Sequence, residues 1–155
     1  MGLLHGAIHS VPWTDSTIAH ENATRHLNEL LCKKTARERF SSLFWAYFDP
    51  RESMLHYVNA GHLPPLFIRR NSSGETSEID VKRLDVGGTV LGLLPGVPFE
   101  QGHVPIQEGD LLVVFSDGFS EAINAKEEEF GESRMIAAIR ASADKSAEEI
   151  RDTAV

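Results

Sequence analysis

Between Phe40 and Phe115 the sequence reads as a succession of short strands, and on either side of that block it reads as helix. Ahead of the block, Leu3, Leu4, Ala7 and Ile8 recur at helical spacing until Pro12. Ala19, Ala23, Leu27, Leu30 and Leu31 then form the stripe of a second helix from Asp15 to Lys33. Asp15 or Ser16 is its N-cap, and Lys33 and Lys34 sit at the negative end of its dipole. Within the block, Phe40–Phe48 and Met54–Ala60 flank the turn Asp49-Pro50-Arg51-Glu52 and predict a hairpin. Further strands are expected at Pro65–Arg70, Ser77–Leu84, Val97–Phe99 and around Val104. Gly87–Gly96 is too rich in glycine for regular structure and reads as a surface loop. Glu108-Gly109-Asp110 turns the chain into Leu111–Phe115, an apolar run without alternation, predicted to be buried on both faces. Helix returns at Gly131–Ser142, with Met135, Ile136 and Ile139 inward, and at Ser146–Thr153, opened by the capping box Ser146-x-x-Glu149. Helices, then strands, then helices is a segregated α+β order: helices on an antiparallel sheet, without βαβ alternation.

Length and charge bound the function. The chain has 155 residues, enough for one domain with a substantial core. Its 23 acidic residues against 15 basic ones give a formal charge of −8, which opposes a phosphate backbone and argues against nucleic-acid binding. Lys33, Lys34, Arg37 and Arg39 form the one basic cluster and read as a solvated helix end. The single cysteine, Cys32, excludes an intrachain disulfide and fits the cytoplasm. No apolar run approaches the roughly 20 residues that span a bilayer, so no membrane partner is expected.

Two runs carry candidate chemistry. In "LLVVFSDGFSEAIN", Asp117 follows the apolar run and is itself followed by Gly118. This places a carboxylate at the tip of a rigid element, where a site is well supported. The same residues also make an Asp-Gly turn capping a helical segment over Ser120–Asn124, and both readings stand at this level. In "YVNAGHLPP", Asn59, Ala60 and Gly61 end a strand, and His62 lies in a loop stiffened by Pro64-Pro65, either as a site residue or as a loop histidine. His5 and His9 are spaced to share one metal from one helix face, but no third ligand is near. His20-Glu21 lacks the second histidine of HExxH, since His26 stands six positions on. Phosphate-binding P-loops, G-x-S-x-G elbows and CxxC pairs are absent from the sequence.

Taken together, "RFSSLFWAYFDPRESMLHYVNAGHLPPLFIRR", "GGTVLGLLPGVPFE" and "EGDLLVVFSDGFSEAINAKEEEFG" resemble the sporulation stage II E-type branch of the bacterial PP2C (PPM) protein phosphatases, over essentially the whole chain. The most specific elements are Asn59-Ala60-Gly61-His62 with Pro64-Pro65, and Gly109-Asp110 followed by Ser116-Asp117-Gly118 and Glu121-Ala122. Phe130-Gly131 closes the pattern.

The resemblance implies an antiparallel β-sandwich flanked by helices. It also implies hydrolysis of phosphoserine or phosphothreonine on a regulatory protein, such as an anti-sigma-factor antagonist in partner switching. Two Mn²⁺ or Mg²⁺ ions held by aspartates would support it, because hard cations choose carboxylate oxygens and a metal pair activates water and clamps phosphoryl oxygens. Asp117 matches a metal-ligating aspartate of the family; Asn59, Gly61, His62 and Gly118 lie near the site by motif, without an assigned catalytic role. The family pattern opens with Asp-x-x-Gly-x-Gly and closes with an Asp-Asp pair, and neither occurs between Met1 and Val155. The expectation is therefore a partial domain over residues 1–155, incomplete at both ends and retaining one of at least three motif aspartates. From this follow two functional readings: a phosphatase domain that is catalytic in its complete form, or a non-catalytic interaction module that keeps a docking surface. Uncovered sheet edges further predict self-association, so a homo-oligomer is expected.

Overall fold

The computed structural model describes residues 19–34, 40–70, 79–123, 127–142 and 145–154. The helix expected over Met1–Ser10, with His5 and His9, lies outside these residues. The described residues divide into two compact units, one drawn from Met1–Pro64 and Leu84–Ile106, the other from Pro65–Arg83 and Gln107–Val155.

The first unit is a helix on a four-stranded sheet. Helix α1 (Ala19–Lys34) has Glu21 in its first turn and Lys33 and Lys34 in its last, as its dipole favours. Ala23, Leu27 and Leu31, four residues apart, are buried, and so are the polar residues His20, Thr24 and Asn28 on the neighbouring ridge. Strands β1 (Leu43–Asp49) and β2 (Met54–Ala60) form the expected hairpin, in register from Asp49↔Met54 to Leu43↔Ala60. Its turn is fixed by Asp49 Oδ1, which accepts the Arg51 N–H at 2.8 Å. On its other side β2 pairs with two partners. Strand β6 (Gly102–Pro105) runs antiparallel to Met54–Tyr57, and the two-residue strand β5 (Gly87–Gly88) runs parallel to Asn59–Ala60. The core gathers Leu27, Leu31, Val58, Ala60, Leu91 and Phe99, with Leu43, Trp45 and Val97 packed against it. Thr24 joins helix to sheet: its hydroxyl donates to the His20 carbonyl and accepts the Trp45 indole N–H at 3.0 Å.

Three expectations for this unit are corrected. The sheet is not wholly antiparallel, because β5 enters parallel to β2. The glycine-rich segment is no surface loop throughout: Gly87 and Gly88 pair as a strand, and Leu91 is fully buried. Absence of side chains is what lets Gly87 pair so closely with β2. Val97–Phe99 forms no strand; Phe99 is buried as a core side chain delivered by irregular backbone.

The second unit has a three-stranded antiparallel sheet, β3 (Leu66–Arg70), β4 (Ile79–Arg83) and β7 (Leu111–Val113), in the order β4-β3-β7. Helices α2 (Asp117–Ser120), α3 (Gly131–Ala141) and α4 (Ala147–Ala154) follow. Leu66, Ile68, Met135, Ile139 and Ile150 form the core, and Leu111, Val113, Phe115, Phe119 and Phe130 pack around it. The capping box of α4 is present: Ser146 Oγ accepts the Glu149 N–H at 3.3 Å, and Glu149 accepts the Ser146 N–H at 3.0 Å. The entrance to β7 is held by Asp110. Its carboxylate accepts two hydrogen bonds from Arg69, at 3.1 and 2.8 Å, and a third from the Gln107 N–H at 2.8 Å.

The Leu111–Phe115 run departs most from expectation. Only Leu111–Val113 is strand, and the run alternates: Leu111, Val113 and Phe115 pack on the core, whereas Leu112 and Val114 are 38% and 53% exposed. Among the described residues, strand β7 is one edge of this sheet. The face on which Phe67 of β3 is buried opens out at its neighbour Leu112. A continuous apolar run marked composition, but not two covered faces.

Candidate functional site

The five candidate residues fall into two groups, one in each unit. In the first, Asn59 ends β2 with its side chain buried, and both ends of its amide are used. Nδ2 donates to the Leu84 carbonyl at 3.1 Å, and Oδ1 accepts the His62 backbone N–H at 2.8 Å. One buried amide thereby ties the strand end to the loop ahead of β5 and to the loop that carries His62. Gly61 has φ +70°, and a Cβ there would lie 2.4 Å from Val90 Cγ1, so backbone conformation and space both require glycine. Gly87 is needed for space: a Cβ would fall 1.9 Å from the Asn59 carbonyl oxygen. The Asn-Ala-Gly-His run is thus first a device for holding three backbone segments together.

His62 is half-buried, with its ring near Phe44. Its Nδ1 lies 2.7 Å from the Leu63 carbonyl oxygen. A carbonyl only accepts, so Nδ1 carries the proton and donates it to Leu63. Tyr57, two residues before Asn59 on β2, is fully buried, and burial raises its pKa above the ordinary 10.0, against a lowering hydrogen bond with the Val86 backbone.

In the second unit, Asp117 is the first residue of α2, separated from β7 by Val114–Ser116, and Ser116 is the N-cap. It does not cap a helix over Ser120–Asn124: the helix begins at Asp117 itself and ends at Ser120. Its carboxylate is exposed, and Oδ1 accepts the Gly118 N–H at 2.7 Å. The Asp117 carbonyl accepts the Glu121 N–H at 2.8 Å and the Ser120 hydroxyl at 3.1 Å. Behind this turn, Phe119 meets Phe130 edge-on with ring centroids 5.2 Å apart, and both pack on the core. The carboxylate is therefore carried on an anchored turn. An apolar recess of about 460 Å³ lies beside it, between the Leu111–Ser116 run and Met135, Ile139 and Ile150. Its one charged lining residue, Arg151, is paired with Glu148 and Asp152, so the recess brings no acid–base group to Asp117.

As a test of metal fit, Asp117 has the right chemistry for one ligand: a hard, exposed carboxylate on a fixed turn. A divalent pair needs several such oxygens. Among the described residues there is no group of three or more His, Cys, Asp or Glu side chains able to hold an ion. The described residues therefore do not by themselves fit a two-ion centre. Asp49 and Asp110 serve turns through hydrogen bonds instead. Sequence reasoning missed the structural load on Asp110 and on Asn28. For Asp110 the signal is the Gly-Asp turn paired with an arginine on a neighbouring strand; for Asn28 it is a polar residue next to Leu27 and one turn before Leu31 on a helix that buries that ridge.

Comparison with known proteins identifies the family and the fold. The family model of Stage II sporulation protein E (SpoIIE) matches residues 1–155. Protein IcfG of Synechocystis sp. is 31% identical over 121 residues, covering 77% of this chain and 18% of that protein. The phosphoserine phosphatase RsbU of Bacillus subtilis is 26% identical over 121 residues, covering 78% of this chain and 34% of that protein. The chain thus spans 18% and 34% of the lengths of these relatives. Among solved structures, the PP2C phosphatase domain of the cell fate determinant SpoIIE from Bacillus subtilis, with a fragment of its regulatory domain, superposes with a TM-score of 0.62 at 22% identity. The match covers 98% of this chain and 43% of that one. A Mn-presoaked structure of the same phosphatase domain gives 0.50 at 20% identity, covering 99% and 61%. These likenesses show the PP2C fold, of which the chain matches a part, and the family match covers every residue: the chain belongs to the stage II sporulation protein E family.

Proposed function

We propose that this chain is part of a metal-dependent protein serine/threonine phosphatase domain. Its substrate would be a phosphorylated regulatory protein of the anti-sigma-factor antagonist type, in partner-switching signalling in the cytoplasm. The supporting observation is the anchored Ser116-Asp117-Gly118 turn in a chain whose whole length matches the family. Asp117 would contribute one carboxylate to Mn²⁺ or Mg²⁺, with the remaining ligands outside the described residues. Within the first unit, Asn59 would fix the backbone of the loop that carries His62. Among the described residues no helix is long and apolar enough to cross a membrane.

A second reading, a non-catalytic module that docks a partner without a metal centre, is favoured by the absence of a ligand cluster among the described residues. Mn²⁺-dependent phosphate release from a phosphoserine protein separates the two, measured on the full-length protein and its Asp117→Asn variant. Release that depends on Asp117 supports the phosphatase; no release from the parent supports the module.

A further inference from the structure

On the face of β2 that carries the core residue Val58, full burial ends at His56, which is half-buried. Directly opposite it on β6 stands His103, which is exposed. The two rings are neighbours across the strand pair, with centroids 6.5 Å apart. Metal–nitrogen distances of about 2.0–2.1 Å place the centroids of two imidazoles sharing one ion roughly 5–6.5 Å apart, according to the angle at the metal. The pair stands at the outer end of that span, and side-chain rotation of the exposed His103 closes it. Behind His56, Gln101 sets the ring: its carboxamide nitrogen lies 3.2 Å from His56 Nδ1. In that orientation Gln101 Oε1 is buried without a hydrogen-bond partner among the described residues. With the carboxamide turned over, Oε1 accepts the Nδ1 proton and the nitrogen takes the unpaired place. Neither orientation satisfies both ends, so neither is locked. The second leaves His56 Nε2 unprotonated while an acceptor holds the other ring nitrogen, as a ligating imidazole requires.

We propose that His56 and His103 form a two-imidazole site for a borderline divalent transition ion, Zn²⁺, with water in the remaining positions. Imidazole nitrogen suits zinc, whereas Mn²⁺ and Mg²⁺ favour carboxylate and water oxygen. Among the described residues no third His, Cys, Asp or Glu joins the pair, so the site is open. Two ligands on paired strands chelate, because an ion held by one ring meets the other at high effective concentration. The formal charge of −8 draws cations to the chain. This site is independent of the phosphatase reading, since it needs only the register that sets His56 against His103.

The test is a Zn²⁺ titration of the untagged full-length protein, labelled with ¹⁵N-histidine and held in excess Mg²⁺ so that oxygen-rich sites are occupied. The ring resonances of His56 and His103 are identified by their loss in His56→Gln and His103→Gln. In the parent both are expected to move at one common Kd, with His56 ligating through Nε2. In His103→Gln the Kd read at His56 should weaken at least tenfold, and in His56→Gln the Kd read at His103 should do the same. Gln101→Met, which keeps the side-chain length but removes the acceptor, should weaken both at least threefold. His5→Ala/His9→Ala removes the other histidine pair spaced to share a metal and should leave the His56 and His103 Kd within twofold; a larger change overturns the two-imidazole site. Resonances that do not move with Zn²⁺ overturn it too, as does a His56 Kd within twofold of the parent in His103→Gln.

Discussion

Asn59 and His62 are joined through the backbone: the Asn59 carboxamide oxygen accepts the His62 N–H at 2.8 Å while its nitrogen donates to the Leu84 carbonyl. The residue most readily taken for a site residue is, in the structure, a clamp. Asn59→Asp keeps the acceptor but loses the donor, leaving the Leu84 carbonyl facing a carboxylate in a buried position. A destabilisation of about 2–4 kcal/mol is expected, with Asn59→Ala in the same range. Urea unfolding monitored by Trp fluorescence measures it. A change below about 0.5 kcal/mol would show that the clamp carries no load.

Gly87→Ala tests the same junction sterically. A Cβ 1.9 Å from the Asn59 carbonyl oxygen cannot be accommodated unless β5 separates from β2. The expected cost exceeds about 3 kcal/mol, with loss of amide-exchange protection at Asn59 first, because its N–H donates to Val86. Unchanged protection there would contradict the close approach.

Much of the fold was legible because local signals and tertiary structure agree. The turn at Asp49, the Ser146–Glu149 box and the Ala23-Leu27-Leu31 stripe each depend on neighbours a few residues away. What the sequence hid depends on distant partners. Whether Leu112 is covered is decided by the position of β7 at the sheet edge, and Gly87-Gly88 becomes a strand only because Asn59–Ala60 is there to pair with it. The Asp117 carboxylate could be read as exposed at a turn, but its anchorage through Phe119 and Phe130 needed the core.

The Arg69–Asp110 pair should prove structural. The Asp110 side chain is 4% exposed and that of Arg69 26%, and the hydrogen bonds that Arg69 donates to Asp110 raise the Arg69 pKa above its ordinary value. Asp110→Asn removes the charge from a nearly buried partner while its Gln107 contact is at most partly kept. A loss of about 2–3 kcal/mol is expected, largely insensitive to salt because the pair is shielded. A loss that vanishes in 0.5 M salt would place the pair at the surface instead.

Glu149 gives a pH-dependent prediction. Hydrogen bonds from the Ser146 backbone and hydroxyl lower its pKa below the ordinary 4.5. A carboxylate depressed in the folded state contributes stability above its unfolded value, and that contribution is lost as pH falls through the depressed one. Amide-exchange protection of Ile150, whose N–H donates to the Ser146 carbonyl, should be constant from pH 7 to 5 and decline below 4.5. In Glu149→Gln the decline should disappear. A variant with an unaltered acid response would show that another group governs α4.

The open edge of β7 predicts self-association. Leu112, on a strand that among the described residues pairs on one side only, is exposed, and so is Val114 just beyond it. Sedimentation of the 155-residue chain at tens of micromolar is expected to show species above the monomer, and Leu112→Lys should reduce them. A sharply monomeric chain would count against an open edge in solution.

The most direct test of the phosphatase account is Mn²⁺-dependent phosphate release from a phosphoserine protein by the full-length protein, with and without Asp117→Asn. If Asp117 holds a cation, removing its charge lowers release at least a hundredfold while the thermal midpoint of the metal-free protein stays within about 2 °C, since the side chain is exposed and, among the described residues, its carboxylate bonds only the adjacent Gly118 N–H. Release unchanged by Asp117→Asn would contradict the account at its centre.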